Sequence, residues 1–138
     1  MKSRDSIIRL KKFQVDEKRR KVAQIEAMIA EFERIATDLD REIQSEQERT
    51  GIHDPAHFAY STYAKAAIGR SENLKRSAEE LIGQLDRART ALQESFEEMK
   101  KVELLDERAQ MRARPAEASR ETGDPVGIGA LRMRGAVG

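Results

Sequence analysis

The stretch VAQIEAMIAEFERIATDLDREI, residues 22–43, decides the fold of this chain. Val22, Ile29, Ala36 and Ile43 recur every seven residues, and Ile25, Phe32 and Leu39 stand three places after the first three of them. Apolar residues spaced alternately three and four apart fall on one side of an α-helix, which is the a/d seam of a coiled coil. Most of the residues between them are charged, as the solvent faces of such a helix require. Upstream, the first series continues through Val15 and Ile8, whereas the second becomes polar at Lys18 and Lys11. The seam is therefore half polar toward the N-terminus.

A second pair of series follows. Ala67, Leu74, Leu81, Ala88, Ser95 and Val102 form one, and Ala64, Ser71, Ala78, Leu85, Leu92 and Met99 the other. Residues 1–50 contain neither glycine nor proline, as an uninterrupted helix requires. Thr50-Gly51-Ile52-His53-Asp54-Pro55 then reads as a helix stop followed by a turn, and Ser61 or Thr62 as the N-cap of the next helix. Folding at this turn sets opposite each other positions whose numbers add to ~110, as short connections between antiparallel helices do. Ile8 then meets Val102, Val22 meets Ala88, Ile29 meets Leu81, Ala36 meets Leu74 and Ile43 meets Ala67. On the other row Ile25 meets Leu85, Phe32 meets Ala78 and Leu39 meets Ser71. Large side chains face small ones in several layers, which suits close packing.

The expected fold is all-α: a long antiparallel two-helix coiled-coil hairpin over residues 1–110. Its parts are a first helix over about 3–50, a tip over 51–61 and a second helix over about 62–109. Residues 111–138 hold two of the three prolines and five of the eight glycines, and the stretch from Pro115 is expected to be a disordered, flexible tail. Two helices pairing only between chains are the alternative, which the short connection disfavours.

Composition agrees with the heptads. Half of the chain is Ala, Glu, Lys, Leu or Arg, and 37% is charged against the roughly 25% usual for a soluble domain. With aromatic residues at 4% and no Trp, a thick core of enzyme type is not expected. The absence of cysteine excludes a disulfide framework, a thiolate zinc site and a cysteine nucleophile. No apolar run approaches the ~18 residues of a membrane span, and a cytoplasmic protein is expected. His53 and His57 stand four apart beside Asp54, a spacing known from helical metal sites, but Pro55 interrupts them and solvated or capping roles are expected. No glycine loop for phosphate is present, and the carboxylates fall on exposed helix positions. Neither catalysis nor a metal or cofactor is expected.

The formal net charge of +1 hides segregation. Residues 1–21 carry nine basic and three acidic side chains, and residues 22–50 three basic and eight acidic. Arg4, Arg9, Lys11, Lys12, Lys18, Arg19, Arg20 and Lys21 make up most of the basic end. Phe13 is the one aromatic interleaved among them, and the acidic stretch beyond repels phosphate, so a protein partner is favoured over nucleic acid. Leu10 and Phe13 fall outside the seam, beside the basic cluster. The tip contributes Phe58, Tyr60 and Tyr63. Two readings stand there: an exposed binding surface, or Phe58 and Tyr63 folding over Ile52 and Ala64 to cap the coiled coil.

The opening Ile8-Ile-Arg-Leu-Lys-Lys-Phe-Gln-Val-Asp-Glu-Lys-Arg-Arg20 heads a hairpin of this size, and the combination resembles the flagellar export protein family FliJ in its alphaproteobacterial form. Similar too are Glu48-Arg-Thr-Gly-Ile-His-Asp54 with Ala59-Tyr60, and Leu74 through Glu107 with Lys101-Val-Glu-Leu-Leu-Asp-Glu. The resemblance covers about residues 1–110, and the chain departs from many relatives in its longer tip and its tail. It implies a non-enzymatic cytoplasmic component of the flagellar type III export apparatus, associated peripherally with the inner membrane through the export gate. Such a coiled coil resembles the central stalk of rotary ATPases. Its implied partners are the export ATPase FliI, the export gate protein FlhA and export chaperones. On that footing, Arg4, Arg9, Leu10, Lys12, Phe13, Lys18, Arg19, Arg20 and Lys21, with Phe96 and Leu105 of the second helix, are the expected contact residues. A competing expectation is a coiled-coil regulator acting through Phe58, Tyr60 and Tyr63 on another cytoplasmic enzyme, such as one that handles nucleic acid.

Overall fold

In the computed structural model, two helices follow from the heptad periods: α1, Lys2–Thr50, and α2, Thr62–Thr122. The structure describes the backbone of residues 2–122 and the side-chain surroundings of residues 3–113. Among the described residues there is no strand, and the helices pack as the expected antiparallel hairpin.

Local chemistry sets the helix ends. Gly51 has φ +73°, and its N–H donates to the Gln47 carbonyl at 2.8 Å, which closes α1 in the left-handed cap that glycine adopts without a steric penalty. A Cβ at Gly51 would meet no atom within 4 Å, so the backbone angle alone demands the glycine. At the start of α2, the Ser61 hydroxyl accepts the Ala64 N–H at 3.2 Å, making Ser61 the N-cap. The far end differs from expectation. α2 continues past Ala109 and through Pro115 to Thr122, where the sequence reading placed a flexible tail. Residues 109–121 are mostly Ala, Arg, Glu, Gln and Met, all strong helix formers, and no glycine interrupts them before Gly123. The rest of that expected tail, residues 123–138, lies outside the described residues.

Two compact units make up the chain. One spans Gln14–Ser95. In it Ile25, Ile29, Leu81 and Leu85 form a buried cluster, with Val22, Phe32 and Ala88 packed against it. Leu39, Ile43 and Ala67 form another, flanked by Ile35, Ile68 and Leu74. Apart from Ile35 and Ile68, which widen the seam to one side, these residues occupy the facing positions of the heptads. A polar layer accompanies them: the buried Ser71 hydroxyl donates to Asp40 Oδ1 at 2.7 Å, and Lys75 Nζ reaches Asp40 Oδ2 at 3.0 Å. The other unit combines α1 up to Phe13 with α2 from Phe96. Met99 is buried in it, while Ile8 and Val102 are half-buried. Ion pairs join its two helices: Arg4–Asp106 at 3.4 Å, Lys11–Glu98 at 3.0 Å and Lys12–Glu103 at 4.0 Å.

Candidate partner-binding surfaces

The expected contact residues divide between the units. Arg4, Arg9, Leu10, Lys12, Phe13, Phe96 and Leu105 belong to the unit of residues 1–13 and 96 onward. There Leu10 is 52% exposed, Phe13 55% and Leu105 52%, and Ile7 and Leu104 are similarly open. Heptad position explains this. Leu10 and Phe13 sit at c and f, and no seam partner covers them. Phe96 is half-buried, with the Lys100 ammonium 5.4 Å from its ring centroid and Lys100 in turn 3.3 Å from Glu103. Of the basic side chains here, Arg4 and Lys12 are engaged with Asp106 and Glu103 across the hairpin, while Arg9 is exposed. Lys11, at a seam position, is half-buried and its ammonium donates to Glu98 at 3.0 Å.

Lys18, Arg19, Arg20 and Lys21 belong to the other unit and are all exposed. Arg19 pairs with Asp16 one turn back at 3.6 Å. The structure thus gathers the apolar members of the expected set with Arg4, Arg9 and Lys12, and assigns the Lys18–Lys21 run to separate surroundings.

The tip is ordered by its own hydrogen bonds. Asp54 Oδ1 accepts the Ala56 N–H at 2.9 Å and its carbonyl accepts the His57 N–H at 3.0 Å, around Pro55 at the second turn position. The His57 carbonyl accepts from Tyr60 N at 3.0 Å, and His57 Nδ1 accepts from Ala59 N at 3.0 Å. His57 thus caps a turn. The capping aromatic is Tyr60, 8% exposed, whose hydroxyl accepts from Gln47 Nε2 at 2.7 Å. This corrects the expectation that Phe58 and Tyr63 fold over the end of the coiled coil. Phe58 is 96% exposed, with its ring stacked on His57 at 4.8 Å between centroids, and Tyr63 is more than half exposed. Successive turns at 54–57 and 57–60 set Phe58 and Tyr60, whereas Tyr63 stands in the first turn of α2.

Four titrations are displaced among the described residues: the exposed Glu31–Arg34 pair lowers its carboxyl and raises its guanidinium, and two further groups shift as well. The Ser71 hydroxyl, with help from Lys75, holds the Asp40 carboxyl below the usual carboxylate range against a partial desolvation. Glu42, as hydrogen-bond acceptor and as negative charge, pushes the Tyr63 hydroxyl above the ordinary phenol value. Sequence reasoning missed the Asp40–Ser71–Lys75 group, although a serine at a core heptad position was the signal that would have found it.

Fold and surfaces together define a helical-hairpin protein whose accessible features are side-chain patches along helices and an ordered tip. No helix among the described residues is long and apolar enough to cross a membrane. No family model, curated protein or solved structure matches the chain.

Proposed function

We propose that this protein is a non-enzymatic coiled-coil component of the flagellar type III export apparatus, similar to FliJ. It would act in the cytoplasm, at the membrane-bound export machinery, coupling the export ATPase to the export gate and escorting export chaperones. The observation that carries the reading is the opening segment Ile8–Arg20, joined to the Glu48–Asp54 turn in a chain that folds as a two-helix hairpin. Leu10, Phe13 and Leu105 supply apolar contact area in one unit, and Lys18 to Lys21 supply charge in the other. Apolar anchors beside cations suit protein partners.

Deleting the gene in a flagellated host should abolish motility and filament secretion. In the purified system, Phe13→Ala and Arg19→Glu variants of unchanged helicity should lose binding to the export ATPase or the gate protein. Unchanged capture of both partners would remove the contact assignment.

A second reading rests on Phe58. An almost fully exposed phenylalanine on a hydrogen-bonded tip suits a regulator that inserts its tip into another enzyme. A Phe58→Ala variant that keeps ATPase binding but loses the cellular phenotype would favour it.

A further inference from the structure

Three shallow depressions lie along the unit of residues 14–95, and they differ in charge. One of about 300 Å³ is lined by Asp86, Arg87, Thr90, Ala91 and Glu94, and one of about 600 Å³ by Glu17, Arg20, Lys21, Ala23 and Gln24. Each has a carboxylate in its wall. The third, of about 410 Å³, runs between the helices and has none: Lys18, Lys21 and Arg87 wall it, beside Gln84. Its floor is Ile25, Ala88 and Ala91. Ile25 is 3% exposed, and the two alanines are half-buried because their short side chains leave the space above them open.

The groove's cations are also free. Arg19 is paired with Asp16 and Arg89 with Glu26, whereas Lys18, Lys21 and Arg87 form no ion pair among the described residues. We propose that this groove is a docking site for an acidic amphipathic helix of a protein partner. Lys18 and Lys21 stand three residues apart on α1, a rise of about 4.5 Å that matches carboxylates one turn apart on a second helix. Arg87 flanks them from α2 and offers a bidentate carboxylate contact. The apolar floor selects for leucine-like side chains on the same face of the incoming helix, the helix-in-groove mode of recognition. A free phosphate or a nucleic-acid backbone would leave that apolar floor uncovered.

This surface shares Lys18 and Lys21 with the export reading. The test therefore contains neither ATPase nor gate protein, and its failure leaves the outcome of the capture experiment unaffected. The full chain is titrated with a labelled peptide of about five helical turns. Leucines line one face of the peptide and glutamates flank them. A scrambled peptide of the same composition and a single-stranded oligothymidylate serve as comparisons. The designed peptide should bind and shift the amide resonances of Ile25, Ala88 and Ala91. Exchanging all three cations for glutamine should weaken it by about tenfold or more. Ala91→Leu, which fills the floor and keeps every charge, should also weaken it. Helicity measured on each variant confirms that the hairpin persists. Equal binding by the glutamine or Ala91→Leu variants would overturn the proposal. So would equal binding of the scrambled peptide or the oligothymidylate, which would reduce the surface to unspecific charge.

Discussion

The two units use one heptad period to opposite ends. In residues 14–95 the seam is closed by Ile25, Ile29, Leu81 and Leu85, and again by Leu39, Ile43 and Ala67. In the unit of residues 1–13 and 96 onward, Met99 is the one buried apolar residue among those described, Lys11 takes a seam position as Lys18 does in the other unit, and three ion pairs bridge helices whose Ile7, Leu10, Leu104 and Leu105 remain exposed. Burying one leucine or isoleucine stabilises a fold by about 1.5–3 kcal/mol, whereas a surface ion pair contributes about 0–1 kcal/mol. The same repeat thus produces a region closed by two buried apolar clusters and a region with a single buried apolar side chain, Met99, among those described.

The comparison is broken most directly in the first region. Leu81→Ala removes a buried side chain that the facing helix covers, and should cost about 2–4 kcal/mol in urea unfolding followed by helical circular dichroism. A loss below about 1 kcal/mol would mean that the cluster does not hold the hairpin together. Hydrogen exchange sharpens the contrast. Amides of residues 8–13 and 96–105 should exchange at least about tenfold faster than those of residues 25–43, because fewer buried contacts resist local opening. Uniform protection would erase the distinction. Gly51→Ala should cost about 1 kcal/mol through its positive φ alone, since no atom stands where the methyl group would go. A neutral result would show that the cap relaxes into another conformation.

The smallest effect concerns the polar layer. Asp40 ionises at lower pH in the folded chain than in the unfolded one, so its stabilisation is present above the unfolded carboxylate value of about 3.9. It is lost as pH falls through the lower, folded value. Because Asp40 is about half exposed, solvent screening limits the contribution to about 0.5 kcal/mol. Ser71→Ala should flatten this acid limb of the stability profile, and superimposable profiles for parent and variant would dismiss the layer as a stabilising element.

Much of the hairpin is legible in the sequence. Heptads report which side of each helix is buried, because position around a helix depends only on residue spacing. Gly51 and Ser61 were legible for a related reason: a left-handed cap and an N-cap hydrogen bond each involve a few neighbouring residues. The extent of α2 is not, because Pro115 signals a helix stop while the helix formers around it carry the helix on to Thr122. At the tip, Phe58, Tyr60 and Tyr63 look equivalent in the sequence. Phe58 and Tyr60 are set apart by two consecutive turns, which have no period to read, while Tyr63 stands exposed in the first turn of α2.

The candidate surfaces divide along the same line. That Leu10 and Phe13 lie outside the seam, and that Lys18 to Lys21 form a basic run, was already written in the order of residues. Which cations are engaged required both helices in place. Lys12 meets Glu103, while Lys18, Lys21 and Arg87 stand free over a floor of small side chains. Charge and periodicity are properties of a chain and can be counted along it. Pairing across the hairpin, the groove between α1 and α2, and the burial of Tyr60 against Gln47 depend on distances between residues remote in sequence, and only the packed molecule sets those distances.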